Sequence, residues 1–565
     1  MQQAQSGFFI QFLHLAGPFW KSENKAVIRQ QTLILISLTI VQMVLAVTIT
    51  EWSAALFNAI EQHSMTELWV QIGYLILIFV ASLAVTAYHL KVKRQLQIGW
   101  RAWLTERVTG QWMHKGQHYL VTHIHSAEHD NPDGRISEDI RIATDEAITL
   151  SHSLFYSVLL LISFTEILWT LSGTIELNLG LLTLPISGYL VVVAIIYSSV
   201  ASLLGWWVGQ PLTIATNAMQ TAEANFRFSL VKAREHSQAI ALIHGEEVEK
   251  NRFHDFFQNI IKAYNHQTTA WSNILVFNSG YSVLSTAFPV LIAAPRYILG
   301  NITLGALMQS VQAFQQVSTA LSWPANNMAA IAQWRASVER VLSLVKALED
   351  LDAEITKPDP QRILVEKPEQ NVLVFDNLCL SKLNGEVVLS NLNASISQGE
   401  HVLIKGDTAN GAKLFKAIAG LWPWGSGRIE LPDGDPMFFM SPRPFLPEGT
   451  LRTAICYPCL PGYCRIADLE EFFKLVGLEE LIIQLDQVDE WDTALTRAQQ
   501  QRLGVVRLLL YAPKWILIEE AFDSLDPETE ADMLRLICQQ MPDATLLTMS
   551  NQPTAEVFHN RHIVV

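Results

Sequence analysis

Charge is scarce in this sequence. Asp, Glu, Lys and Arg make up 16% of 565 residues, against about 25% in a typical globular chain. The deficit falls in the N-terminal part, where long stretches carry none. With 50% apolar residues and a mean hydropathy of +0.21, this excludes a disordered chain, a collagen-like chain and a small disulfide scaffold. It also argues against a row of soluble domains of about 150 residues each. Basic charge is scarcer still. Lys and Arg number 39 against 54 Asp and Glu, a net −15, which argues against a nucleic-acid partner, because phosphate attraction needs a basic surface. Cysteine is absent until Cys379, followed by Cys456, Cys459, Cys464 and Cys538. These fall in a part read below as cytosolic, which argues against structural disulfides. Cys456-x-x-Cys459 with Cys464 has no evident fourth ligand, so no metal site is expected.

What is present is long apolar runs. A window of about 19 apolar residues marks a membrane helix. Such runs occupy about 32–50, 68–90, 150–171, 181–208 and 271–294, and a sixth, about 304–332, is interrupted by glutamines and Pro324. That polar content suggests a helix facing a cavity or other helices rather than lipid. Lys and Arg cluster before the first run, between the second and third, between the fourth and fifth, and after the sixth; the alternate loops hold only Arg296. The positive-inside rule then gives six spans with both termini in the cytoplasm. Residues 1–20 are a leading segment, no cleaved signal peptide, and 21–349 the membrane domain. Segments 91–149 and 209–270 read as cytoplasmic extensions of the spanning helices. Five histidines (His114, His118, His123, His125 and His129) crowd the first extension. Their spacing fits no tight ligand set, so they read as solvated or packed side chains.

After Asp350 the composition changes. Residues 350–371 are polar and carry Pro358, Pro360 and Pro368, which reads as a linker, and 372–565 as an α/β domain. The strand Val402–Lys405 runs into Gly406 and then Asn410-Gly411-Ala412-Lys413 before a helix. A glycine loop between strand and helix is the pattern of a phosphate cradle, because backbone N–H groups and the helix N-terminus face the anion. A second buried strand, Trp515–Ile518, ends in Glu519-Glu520, and acids at a strand end suit metal and water handling.

The chain resembles half-size ABC transporters of the group that joins an SbmA/BacA-type membrane domain to an ATP-binding domain, akin also to the peroxisomal fatty-acyl transporters. The blocks that carry the resemblance are Gly99–Val108, Asp130–Arg141, Ala224–Glu247, Ala320–Val341, Ala417–Ile429 and Glu519–Pro527. The resemblance implies a six-span α-helical domain of the ABC exporter type followed by an α/β P-loop-type nucleotide-binding domain, with ATP and Mg²⁺ as cofactors. It implies a dimer, of two identical chains or with a different partner, in a bacterial inner membrane. It implies a peptide or other bulky amphipathic cargo. The block holding Asp130, Pro132, Asp133, Arg135, Glu138 and Asp139 resembles the intracellular loop that transmits motion between the halves.

The ATP machinery departs from the family pattern. The loop GxxxxGK[ST] needs Lys directly after its second glycine, and a Ser or Thr for Mg²⁺. Here Ala412 follows Gly411, Lys413 comes one place late, Leu414 stands where the hydroxyl belongs, and the loop is one residue short. The signature aligns with Leu495-Thr496-Arg497-Ala498-Gln499 and lacks both glycines. The glutamine after the third strand aligns with Pro442, the magnesium aspartate with Glu519 and the switch histidine with Asn551. Glu520 remains at the water-polarising position, as does Ser524-Leu525-Asp526. Phosphoryl transfer depends on positioning and electrostatics, and one charge-assisted hydrogen bond contributes about 1.5–3 kcal/mol. The joint losses therefore predict weak or absent ATP hydrolysis.

An acid at mid-membrane costs about 3 kcal/mol and normally faces a cavity, a partner or a proton. Glu166, inside the third run, and Glu51, at the outer end of the first, are candidates for proton coupling by resemblance to carriers that lack an ATP domain; structural roles are the alternative. The expected function is a transporter with a degenerate nucleotide-binding domain. Its rivals are an ATP-driven transporter working through Lys413 and Glu520, and a membrane scaffold or regulator that transports nothing.

Overall fold

The computed structural model describes residues 7–124, 131–178, 183–356, 362–382, 384–434, 437–459, 466–550 and 552–565. The chain forms two compact units: Met1–Gln111 with Asn131–Lys346, and Trp112–Asp130 with Ala347–Val565.

Helices come in chain order as α1 (Phe8–Ala16), α2 (Lys25–Glu61), α3 (Met65–Trp112), α4 (Gln117–Ile124), the single turn α5 (Pro132–Gly134), α6 (Ile140–Ser172), α7 (Tyr189–Glu235), α8 (Ser237–Leu242), α9 (Glu246–Ile298), α10 (Leu304–Leu321) and α11 (Trp323–Thr356). Among the described residues, five helical stretches are long and apolar enough to cross a bilayer: α2, α3, Pro132–Ser172, α7 and α9. They run 37 to 53 residues, well past the roughly 20 that a bilayer needs, so each extends beyond the membrane. Their outward faces are apolar and exposed, as at Leu77, Leu203 and Val276, a surface that lipid rather than water satisfies.

The sixth run is divided. α10 ends at Leu321, capped by Ser322, and α11 begins at Trp323-Pro324, the proline taking an early helical position where its missing N–H costs nothing. α10 is the packed centre of the unit: Ala313, Phe314 and Val317 pack with Phe164 and Leu168 of α6 and Tyr189 and Ala194 of α7. Its glutamines bond to neighbouring helices, Gln312 Nε2 donating to Ser53 Oγ at 2.8 Å.

Helix ends are tied across elements. Glu61 and Asn58 of α2 accept from the first amides of α10, Leu304 N–H and Gly305 N–H, each at 3.0 Å. The backbones touch there; a Cβ on Gly305 would lie 2.1 Å from Ala54 O. At the α6 C-terminus the Arg296 guanidinium donates to the carbonyls of Leu171 and Ser172, a cation at the negative end of a helix dipole.

The fourth span was expected from residue 181, but α7 begins at Tyr189. Before it, β1 (Thr174–Asn178) and β2 (Thr183–Ser187) pair antiparallel, and Gly188 (φ +71) makes the left-handed turn into the helix. An apolar strand passes a hydropathy window as readily as a helix does, which is why the boundary was hidden.

The second unit is α/β. Its strands are β3 (Leu364–Glu366), β4 (Val372–Ser381), β5 (Val387–Ser397), β6 (His401–Lys405), β7 (Gly425–Glu430), β8 (Phe438–Met440), β9 (Gly449–Thr450), β10 (Val488–Asp489), β11 (Trp515–Glu519), β12 (Thr545–Met549) and β13 (Arg561–Val564). Its helices are α12 (Thr408–Ile418), α13 (Leu451–Cys456), α14 (Ile466–Leu475), α15 (Trp491–Ala494), α16 (Arg497–Tyr511), α17 (Pro527–Gln540) and α18 (Pro553–Glu556). A parallel sheet in the order β13-β6-β12-β11-β8 lies beside a sheet in the order β3-β7-β4-β5. The buried runs Val402–Ile404, Trp515–Ile518 and Leu546–Leu547 are what a sheet covered on both faces requires.

One cysteine expectation is corrected. Cys456, at the end of α13 and fully buried, is disulfide-bonded, while Cys379, Cys459 and Cys538 are free. The expectation rested on compartment alone and took no account of the buried local geometry.

Candidate functional site

The strand–turn–helix that was expected to cradle phosphate is shorter than its sequence suggests. β6 ends at Lys405 and α12 starts at Thr408, so only Gly406 and Asp407 connect them. The Asp407 carboxylate caps the helix, accepting from Ala409 N–H at 2.9 Å, while Asn410 N–H and Gly411 N–H bond to Asp407 O. Asp407 N–H in turn donates to Val565 O at 3.3 Å. Gly406 (φ +132) is held so closely that a Cβ would lie 2.0 Å from that same Val565 oxygen.

Residues expected in the loop therefore sit inside the helix. Gly411 is buried, with a Cβ position 2.0 Å from Met549 Sδ; it serves helix-on-sheet packing. Asn410 Nδ2 donates to Val388 O at 3.2 Å. Lys413 folds back along its own helix, Nζ donating to Ala409 O at 3.3 Å. Leu414, at the Mg²⁺-hydroxyl position, is wholly buried in the apolar core with Phe415 and Ile418.

Glu519 and Glu520 end β11, and Glu519 pairs in register with Met549 of β12. Burial pushes the Glu519 carboxyl up, reinforced by the Glu520 charge and opposed by Lys416. Glu520 has a left-handed backbone (φ +41), an uncommon state that costs about 1–3 kcal/mol and clusters at functional positions; its N–H donates to Met549 O at 3.0 Å. The cation acting on Glu519 is Lys416, whose Nζ also lies 5.7 Å from the Tyr119 ring centroid.

At the signature position Thr496 is the N-cap of α16, in a reciprocal capping box with Gln499. Arg497 pairs with Asp523 at 3.7 Å. The carbonyl of Pro442 accepts from Gln501 Nε2 at 3.2 Å. Asn551 lies outside the described residues.

The α12 N-terminus already holds a carboxylate, the lysine Nζ is bonded to Ala409 O, no hydroxyl stands at the metal position, and the connecting turn is two residues long. These residues do not fit a triphosphate with its Mg²⁺ in the manner of a phosphate loop.

Pro132, Asp133, Arg135, Glu138 and Asp139 group with the membrane unit, and buried Asp139 takes a two-pronged ion pair from Arg340 at 2.5 and 2.7 Å. Asp130 lies outside the described residues. The segment that groups with the C-terminal domain is the preceding one. There Gly116 (φ +75) leaves room for Leu421, whose Cδ2 would lie 2.6 Å from a Cβ, and Gln117 Nε2 donates to Asp352 Oδ1 at 3.5 Å.

Glu51 and Glu166 both carry exposed side chains. Phe164 and Leu168 flank Glu166 and are fully buried, so the acid points off the opposite face of α6. The structure does not bring the two acids into one cluster.

Sequence reasoning missed a cavity of about 760 Å³ in the membrane unit, between α7, α9, α10 and α11. Trp206, Phe277 and Tyr281 give it aromatic walls, and Gln210, Asn278 and Asn326 give it amides; among the described residues, no Asp, Glu, Lys, Arg or His lines it. The available signal was the recurrence of small residues, Ala201, Gly205 and Gly209, on one face of α7.

Apolar membrane helices with a C-terminal α/β domain of this topology define a transporter subunit fused to a nucleotide-binding-type domain. The family description "ABC transporter transmembrane region 2" matches residues 18–298. The inner membrane ABC transporter ATP-binding protein YddA of Escherichia coli is 29% identical over 557 residues, 96% of this chain and 95% of that protein. An uncharacterised ABC transporter ATP-binding protein of Synechocystis is 30% identical over 88% of this chain and 74% of its own length. The human lysosomal cobalamin transporter ABCD4 is 23% identical over 98% of this chain and 93% of its length. The chain belongs to the ABC transporters, as a half-size member, and that family uses ATP and Mg²⁺.

Proposed function

We propose that this chain is a bacterial inner-membrane half-transporter that moves a peptide or other bulky amphipathic solute with little or no ATP hydrolysis, working as a homodimer with both termini in the cytoplasm. The observation that carries the reading is the two-residue turn at Gly406-Asp407, whose own carboxylate caps the helix where phosphate would bind. An SbmA/BacA-like mode, in which a proton gradient supplies the drive and Glu51 or Glu166 takes the proton, fits a degenerate nucleotide domain. The uncharged, amide-bearing cavity suits a large cargo with both apolar and hydrogen-bonding surface. A relative named for cobalamin, a bulky amide-fringed solute, supports the same cargo class.

The test is nucleotide turnover of the purified chain in lipid, beside Glu520→Gln. Turnover is expected at background in both. Robust hydrolysis abolished by Glu520→Gln would restore the ATP-driven reading, in which Lys413 and Glu520 act despite their placement. Cargo uptake into vesicles with and without a pH gradient separates a transporter from a scaffold, and uptake unchanged by Glu166→Gln would remove that residue from the proton path.

A further inference from the structure

Two imidazoles face each other within the membrane unit. His89 of α3 is 7% exposed, and half-buried His152 of α6 approaches it with Nε2 to Nε2 at 2.8 Å and ring centroids 4.4 Å apart. A contact that short requires a hydrogen between the nitrogens. In the uncharged pair one ring is therefore the Nε2–H tautomer and donates. The other accepts at Nε2 and carries its own hydrogen on Nδ1. Of the four ring nitrogens, the donor's Nδ1 alone keeps a free lone pair. Among the described residues, neither ring has a second hydrogen-bond partner.

The surroundings are defined. Lys93, one turn along α3, is the charged side chain bearing on both rings, and Lys93 itself feels Arg94 beside it and Asp145 and Glu146 of α6. On α6 the next titratable group beyond His152 is the neutral Tyr156 phenol, one turn on. α11 presents the neutral indole of Trp323, whose Nε1–H donates to Ser153 Oγ at 3.0 Å.

We propose that His89 and His152 together form a binding site for a single proton, held as an imidazolium–imidazole pair across the α3–α6 contact. The incoming proton bonds to the free Nδ1 lone pair of the donor ring, whose Nε2–H stays hydrogen-bonded to its neighbour. A second proton has no such place: it would go to the acceptor's Nε2, set two N–H groups against each other and put two like charges in contact. Occupancy thus stops at one, and the helix contact is the element that resists the second. The site stands apart from Glu51 and Glu166 and does not depend on whether transport is proton-driven.

The test is ¹⁵N-histidine NMR of the full chain in lipid, titrated from about pH 8.5 to about pH 4.5 to span the imidazole range. In the unmutated chain, a coupling through the hydrogen bond should join the two Nε2 nuclei, and both residues should move in one shared transition. In His89→Gln the His152 midpoint should be displaced by at least a threefold change in proton affinity. Absence of the coupling, two independent transitions, no change in either ring across the range, or a His152 midpoint unmoved in the variant would each overturn the proposal. The first three outcomes need no variant, so a misfolded His89→Gln leaves the test intact.

Discussion

Asp407 fixes the character of its neighbourhood with one carboxylate. A side-chain oxygen on a first-turn amide contributes about 0.5–2 kcal/mol to a helix, and here it also fills the end of α12 that would attract an anion. Asp407→Ala is therefore expected to lower the unfolding free energy of the C-terminal domain by about 1 kcal/mol, read by denaturant titration. Lys413 is the complementary case. Its Nζ is spent on Ala409 O, so Lys413→Ala should leave affinity for a fluorescent ATP analogue unchanged; a tenfold loss would show that the side chain swings to the phosphates. His559 carries a pH dependence of defined sign. It is buried, held by Ala555 O at 2.6 Å and Thr548 Oγ1 at 2.8 Å, and burial pushes its imidazole below the usual range. The unfolded chain then binds the proton first, below about pH 6.5. The stabilising contribution of His559 is present above that pH and is lost as pH falls through the unfolded value toward the depressed folded one. Thermal unfolding between pH 8 and pH 5 should show this loss, and His559→Gln should flatten it.

At the scale of elements, the tightest joint is where α10 starts against α2. A Cβ on Gly305 would meet backbone, which yields less than a side chain does, so Gly305→Ala should cost about 1–3 kcal/mol and lower the melting temperature in detergent. The ion pair of Asp139 with Arg340 ties the start of α6 to α11. Asp139 is 6% exposed and the guanidinium reaches solvent, so Arg340→Ala should cost about 1–3 kcal/mol, below the figure for a fully buried pair. Element types were largely legible in the sequence. Charge-free runs marked the long helices, and the glutamines of the sixth run marked a helix packed on others. Boundaries were less so: hydropathy reports burial and not period, so β2 was read as helix. The turn before α12 was misjudged for a related reason. Gly406 and Gly411 fit a loop template, yet Asp407 followed by Thr-Ala-Asn is also a helix start, and tertiary packing of Gly411 on Met549 decides between them.

For the whole molecule, the pattern of apolar and basic segments was enough to set out a membrane unit and an α/β unit, while the cavity, the histidine pair and the placement of 112–124 each join residues far apart in sequence and leave no periodic trace. One route passes through all of these levels. The polypeptide leaves the membrane unit at Trp112, contributes a short excursion to the C-terminal unit, and resumes the membrane unit at Asn131 before passing across again after Lys346. A break in the chain after Thr356, where α11 ends, would thus not set the rest of the C-terminal unit adrift. The excursion would still grip it like a peg in a socket, and both fragments should elute together in mild detergent until denaturant pulls the peg free.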